Sequence, residues 1–152
     1  MKLPNLSELH SVHRLDAATR RSLLQVARNA LASSYSPYSQ FAVGSAVIAD
    51  DGSIVAGCNV ENASYGLTIC AERVAIFSAI AQGRKRISAI AIANKAGEFS
   101  VPCGACRQVM VEFATPDLEI ILEDKKGELR VLKLGDLLPE PFLPSSLPRQ
   151  PR

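Results

Sequence analysis

The sequence carries little net charge: 17 lysines and arginines against 15 aspartates and glutamates leave +2. The basic residues are scattered, clustering briefly at Arg20-Arg21 and Arg84-Lys85-Arg86. Without the basic stripe that polyanion binding needs, nucleic acid is not an expected partner. No apolar run approaches the ~18–20 residues of a membrane span, so no membrane partner is expected either. Met1-Lys2-Leu3-Pro4 leads into Asn, Ser, Glu and Leu without a continuous apolar stretch, so no secretory signal is read there. A cytoplasmic location is the resulting expectation, and there thiols stay reduced. Cysteine and histidine are scarce, at 4 and 2 residues. In a reducing compartment the cysteines are metal ligands, catalytic thiols or core residues sooner than disulfide staples. There is no internal repeat and no second domain. A chain of 152 residues, 47% hydrophobic and 21% charged, reads as one globular domain over 1–152.

What is present is a regular alternation of patterns. Asp16 is placed to cap a helix in which Leu23, Leu24, Ala27, Ala30 and Leu31 recur at helical spacing. Tyr35-Ser36-Pro37-Tyr38-Ser39 makes a rigid, non-helical loop. Phe41 to Ala49 and Ile54 to Val60 flank the turn signal Asp50-Asp51-Gly52 and predict a hairpin. Cys70 to Gln82 has helical character, stopped by Gly83. Ile87 to Ala93 is a short apolar run of the kind found in buried strands. A further helix is expected from Pro102-Cys103 to Ala114, closed by Thr115-Pro116. Leu118 to Leu122 and Leu129 to Leu132 predict two last strands. Helix, two strands, helix, strand, helix, two strands is the order of an α/β sandwich around a mixed sheet. Residues 139–152 are proline-rich and aperiodic, an extended or partly disordered tail in which Phe142 is the lone aromatic.

The chemistry concentrates in Cys70-Ala71-Glu72 and Pro102-Cys103-Gly104-Ala105-Cys106. Cys103 and Cys106, three apart on a helix, share a face and can converge on one ion. Cys70, from the first turn of a neighbouring helix, supplies a third ligand. Catalytic zinc sites keep a fourth position for water, and no well-spaced fourth protein ligand is visible here. Three thiolates make an electron-rich centre, which two helix N-termini offset with partial positive charge; Arg73 and Arg107 stand close enough in sequence to add to it. Glu72 is too near Cys70 for both to bind the same ion well, and instead suits proton transfer beside a metal-activated water. A C-x-x-C pair alone also occurs in redox motifs and structural zinc sites, but a thioredoxin-like role would leave Cys70 and Glu72 idle. A structural zinc domain would need a fourth Cys or His. Cys58 reads as a small core residue of a strand, and His10 and His13 as surface groups.

With these motifs placed, the sequence resembles the small, homotetrameric cytidine deaminases. The likeness runs from the helix around Leu24 to Phe142 and includes Tyr35 to Gly44 and Gly57 to Tyr65. The resemblance implies a cytidine deaminase-like three-layer sandwich, a mixed five-stranded sheet flanked by helices. It implies hydrolytic deamination of free cytidine and 2′-deoxycytidine by zinc-bound hydroxide, with one Zn²⁺ per subunit held by Cys70, Cys103 and Cys106. Glu72 would carry the protons. Asn59 and Glu61 would bind the ribose, Phe41 would line the pyrimidine pocket, and Ala71 would offer backbone groups to the base. Val101 stands where many relatives carry Ser or Thr, a position whose carbonyl would face the amino group. Arg73 and Gln108 would hydrogen-bond the thiolates. Tyr65 and Phe142 would reach a neighbouring subunit's active site. A blasticidin-type aminonucleoside deaminase and a structural zinc module are the rival readings. Nucleotide, tRNA and DNA deaminases commonly place His where Cys70 stands.

Overall fold

A computed structural model of the protein describes residues 14–147. His10, His13 and the last five residues of the tail therefore lie outside the described residues. Asp16 caps the first helix, α1 (Ala17–Ala30), by accepting the Thr19 amide at 2.7 Å, and a 3-10 turn continues it over Leu31–Ser33. The hairpin strands are β1 (Val43–Ala49) and β2 (Ile54–Cys58). Helix α2 (Ala71–Ala81), strand β3 (Ile87–Asn94) and helix α3 (Gly104–Phe113) follow. Strands β4 (Glu119–Glu123) and β5 (Leu129–Lys133) run into a one-turn helix, α4 (Leu134–Leu137).

The strands form one mixed sheet in the order β2-β1-β3-β4-β5, with β3 and β4 parallel and every other pair antiparallel. Successive strand residues face opposite ways, so the sheet has two distinct faces. On one, Ala46, Ala89, Ala91, Ala93 and Ile121 meet Leu23, Leu24 and Ala27 of α1. On the other, Val47, Val55, Ile90, Ile92, Ile120 and Leu122 meet Ala75, Ile76 and Ala79 of α2 and Cys106 and Met110 of α3. The result is a three-layer α/β sandwich with α1 alone on one side.

The helices lie close against the hairpin because two strand positions lack a side chain. A Cβ on Gly44 would stand 2.0 Å from the carbonyl oxygen of Ala27 in α1. One on Gly57 would stand 2.4 Å from the Ala75 nitrogen and 2.8 Å from the Ala71 oxygen of α2. Ion pairs Arg20–Glu119, at 2.8 Å, and Arg28–Glu123 fasten α1 to β4.

Topology then sets the stage for the site. Strands β2 and β3 are each antiparallel to β1, so they point the same way. The helices that follow them, α2 and α3, share a face of the sheet and begin at the same edge.

The structure departs from the sequence expectations at element ends. The first hairpin strand starts at Val43, not Phe41, and the second stops at Cys58, short of Val60. Cys58 is half-buried rather than a core residue, and its thiol donates to the Ser33 carbonyl at 3.1 Å. The turn of α4 was not foreseen from the sequence. Beyond it, residues 138–147 form a strap containing one 3-10 turn at Pro144–Ser146. Among the described residues no helix is long and apolar enough to cross a membrane.

Candidate metal centre and active site

Cys70 and Cys103 are the N-cap residues of α2 and α3, and neither side chain is used to cap its helix. Both thiols are therefore free to leave the helix axis, while the helix N-termini turn their partial positive charge toward them. Cys106 lies one turn into α3, fully buried. The Cys70 and Cys103 sulfurs are 3.9 Å apart, those of Cys103 and Cys106 3.5 Å, and all three lie within 4.8 Å of one another. A tetrahedral site with Zn–S of ~2.3 Å has edges of ~3.8 Å, so the sulfur triangle already has zinc's dimensions. Among the described residues no fourth Cys, His, Asp or Glu joins this cluster. The donor set fits a zinc ion with an open position.

The electrostatics agree with that donor set. The Cys106 thiol's hydrogen bond, with help from Arg73, lowers the Cys70 thiol to about 5. The same hydrogen bond, together with burial, pushes Cys106 up. Without a cation among them, one thiolate holds the proton on its neighbour; a dication at the centre removes that opposition. The Nη2 of Arg73 lies 3.5 Å from both the Cys70 sulfur and the Thr68 carbonyl. Its Nε is buried with no hydrogen-bond partner among the described residues, a cation aimed at a centre that becomes negative when all three thiols ionise. Glu72, in the first turn of α2, is 5% exposed, and burial pushes its carboxyl above the ordinary value of 4.5.

A cavity of about 350 Å³ opens onto this cluster, within the ~300–1,000 Å³ range of small-molecule sites. Its lining includes Cys70, Ala71, Glu72 and Cys103 together with Phe41, Asn59, Glu61 and Val101. No lysine or arginine among the described residues lines it. A wider surface depression near Asp51 and Arg84, about 570 Å³, has no such combination of groups.

Asn59 and Glu61 are anchored before any ligand arrives. The Asn59 carbonyl oxygen accepts from the Ser34 hydroxyl at 2.6 Å and the Val43 amide at 2.9 Å, and its amide nitrogen donates to the Phe41 carbonyl at 2.8 Å. One N–H of Asn59 is left over. The Glu61 carboxylate accepts from the backbone amides of Tyr38 and Ser39 at 2.9 and 3.2 Å and from the Ser39 hydroxyl. These bonds, the Ser39 hydroxyl foremost, hold its carboxyl below the ordinary value of 4.5.

Three residues singled out in the sequence stand elsewhere. Gln108 does not touch the sulfurs: its amide nitrogen donates to the Phe142 carbonyl at 2.7 Å and its oxygen accepts from the Phe142 amide at 3.3 Å. Residues two apart on a helix point away from each other, so Cys106 and Gln108 diverge. Tyr65 and Phe142 do not line their own chain's cavity; they are 74% and 60% exposed, and Tyr65 packs on Tyr38 with ring centroids 5.8 Å apart. Sequence reasoning passed over Ser34 and Ser39, although both belong to the loop ahead of Phe41 that holds Asn59 and Glu61. Arg107, expected beside Arg73 to add hydrogen bonds or positive field at the sulfurs, instead donates to two backbone carbonyls.

A three-sulfur metal site at two helix N-termini, a buried carboxylate beside it and a small-molecule cavity define a zinc-dependent hydrolase of the deaminase class. Residues 17–122 match the family described as the cytidine and deoxycytidylate deaminase zinc-binding region, and the chain belongs to that family. The cytidine deaminase of Halalkalibacterium halodurans is 44% identical over 123 residues, which cover 81% of this chain and 93% of the relative. That of Mycobacterium tuberculosis is 45% identical over 126 residues, 83% of this chain and 91% of the relative. The crystal structure of the Burkholderia pseudomallei cytidine deaminase superposes with a TM-score of 0.76 at 48% identity, covering 80% of this chain and 98% of that one.

Proposed function

We propose that the protein deaminates free cytidine and 2′-deoxycytidine hydrolytically, giving uridine or 2′-deoxyuridine and ammonia. One observation carries the reading: a single cavity is lined by Cys70, Cys103 and Glu72 together with Phe41, Asn59 and Glu61. Phe41 offers the pyrimidine an aromatic face, and Ala71 and Val101 present backbone groups to the base's polar edge. The free N–H of Asn59 donates to a sugar hydroxyl while Glu61 accepts from one. With no cation in the lining, the cavity favours a nucleoside over its phosphate.

Cys70, Cys103 and Cys106 would hold the zinc, whose Lewis acidity would supply a water nucleophilic at neutral pH. Glu72 takes a proton from that water and passes it to the ring nitrogen N3, which makes C4 electrophilic. Water's oxygen bonds to C4, Glu72 moves the proton of the new C4 hydroxyl to the exocyclic amine, and the C4–N bond breaks as C4=O forms, releasing ammonia. Burial raises the Glu72 carboxyl toward the range where it can both accept and return a proton.

Tyr65 and Phe142, exposed on their own subunit, are proposed to complete a neighbouring copy's cavity in a homotetramer. Four free cysteines accord with a cytoplasmic setting. The test is an ultraviolet assay of the zinc-loaded protein with cytidine, 2′-deoxycytidine and dCMP. Turnover of both nucleosides with little on dCMP is expected. Strong preference for the phosphate, or no turnover of any, overturns the proposal.

A further inference from the structure

The guanidinium of Arg107 bridges two parts of the chain that the proposed chemistry treats separately. Its Nε donates to the carbonyl of Pro102 at 2.7 Å and its Nη1 to the carbonyl of Leu137 at 3.0 Å. Pro102 is fully buried and directly precedes the ligand Cys103. Leu137 ends α4 and opens the strap that carries Phe142. No carboxylate among the described residues pairs with Arg107. Its charge is spent on carbonyls alone, and a rigid planar fork can hold two of them at once where a lysine ammonium offers a single point. The next residue, Gln108, fixes both backbone groups of Phe142. One turn of α3 thus grips the metal-ligand loop on one side and the strap on the other.

We propose that Arg107 is a positioning residue that couples the ligand loop at Pro102-Cys103 to the C-terminal strap. A filled sulfur site fixes Cys103 and the Pro102 carbonyl, and through Arg107 it fixes the root of the strap. The coupling rests on the three sulfurs holding zinc, which the metal content of the unaltered protein checks on its own.

The experiment uses the full-length, zinc-loaded protein. Because the chain has no tryptophan, Phe142→Trp gives the strap a lone tryptophan, which can be excited apart from the tyrosines. Its emission is expected to shift when a chelator withdraws zinc. Adding Arg107→Lys, which keeps the charge and loses the fork, should abolish that shift. It should also weaken zinc retention against a chromophoric chelator by about 10- to 100-fold, the range for losing a group that orients a metal ligand. An unchanged emission shift, or retention within about twofold of the parent, overturns the proposal. If Arg107→Lys does not fold, amide exchange at residues 134–142 of the unaltered protein decides. Exchange slowed there by zinc more than in α1, on the opposite face of the sheet, supports the coupling, and slowing no greater than in α1 overturns it. An unaltered protein that holds no zinc overturns the metal reading itself, a result distinguishable from all of these.

Discussion

Glu72 is the residue on which the proposed chemistry turns, and its buried carboxyl, raised above the ordinary value, suits it to proton transfer where the sulfurs serve as ligands. Glu72→Gln keeps the shape and removes the proton acceptor. Zinc content and nucleoside binding should persist while turnover falls at least ~10²–10⁴-fold, the usual contribution of a positioned acid–base group; zinc analysis beside single-turnover kinetics checks this, and near-normal turnover would exclude the role. Ser39 acts at one remove. Its hydroxyl is the main cause of the lowered Glu61 carboxyl, so the contribution of this clamp is present above Glu61's ordinary 4.5 and is lost as pH falls through the lowered value. In Ser39→Ala the acid limb of the nucleoside KM profile should move up toward 4.5, with KM at neutral pH raised about three- to tenfold. A profile superposable on the parent's would show that Ser39 does not tune Glu61.

At the scale of elements, two glycines offer a controlled comparison. Gly57→Ala drives a methyl into the α2 backbone, and α2 carries Cys70 and Glu72 at its start. Gly44→Ala drives one into α1, which touches neither. Both should lower stability by ~1–3 kcal/mol or more, read as urea midpoints. Gly57→Ala alone should also lose zinc and activity in the folded protein; equal zinc retention in the two variants would show that α2's seat on β2 does not set the site. The helices and strands themselves were legible because their periods are clean: Leu23, Leu24 and Ala27 for α1, alternating Ile and Ala for β3. Arg73, expected near the sulfurs from its place beside Glu72 and from the family resemblance, stands with its Nη2 3.5 Å from the Cys70 sulfur. The ends were not. Asn59 binds the Phe41 carbonyl and the Val43 amide, so the hairpin's last residues serve the site rather than the ladder, and nothing in local pattern records that. Helix α4 has 4 residues, too short to show a period.

For the whole molecule, zinc binds the folded chain because two of the ligands come from α3 and one from α2. Chelation should therefore lower the thermal midpoint, by an amount equivalent to ~4 kcal/mol when free zinc had stood about a thousandfold above its Kd. Calorimetry with and without chelator measures this, and a midpoint indifferent to zinc would mean the sulfurs do not hold it in solution. The same measurement should be paired with light scattering. A monomer at working concentration would remove the proposed roles of Tyr65 and Phe142 in a neighbouring cavity.

The separation of the ligands along the chain has a consequence for biosynthesis. Cys70 and Cys103 are 33 residues apart, and between them lie all of α2 and β3. At about 5–20 residues per second a ribosome takes roughly 2–7 s to make that stretch. A nascent chain therefore exposes the Cys70 thiol, then a helix and a strand that bring it no partner, before Cys103 and Cys106 emerge together. Three-sulfur coordination can form only once Cys106 has been made, with β4 and β5 still to be synthesised, so the metal can join two helices before the sheet they rest on is complete.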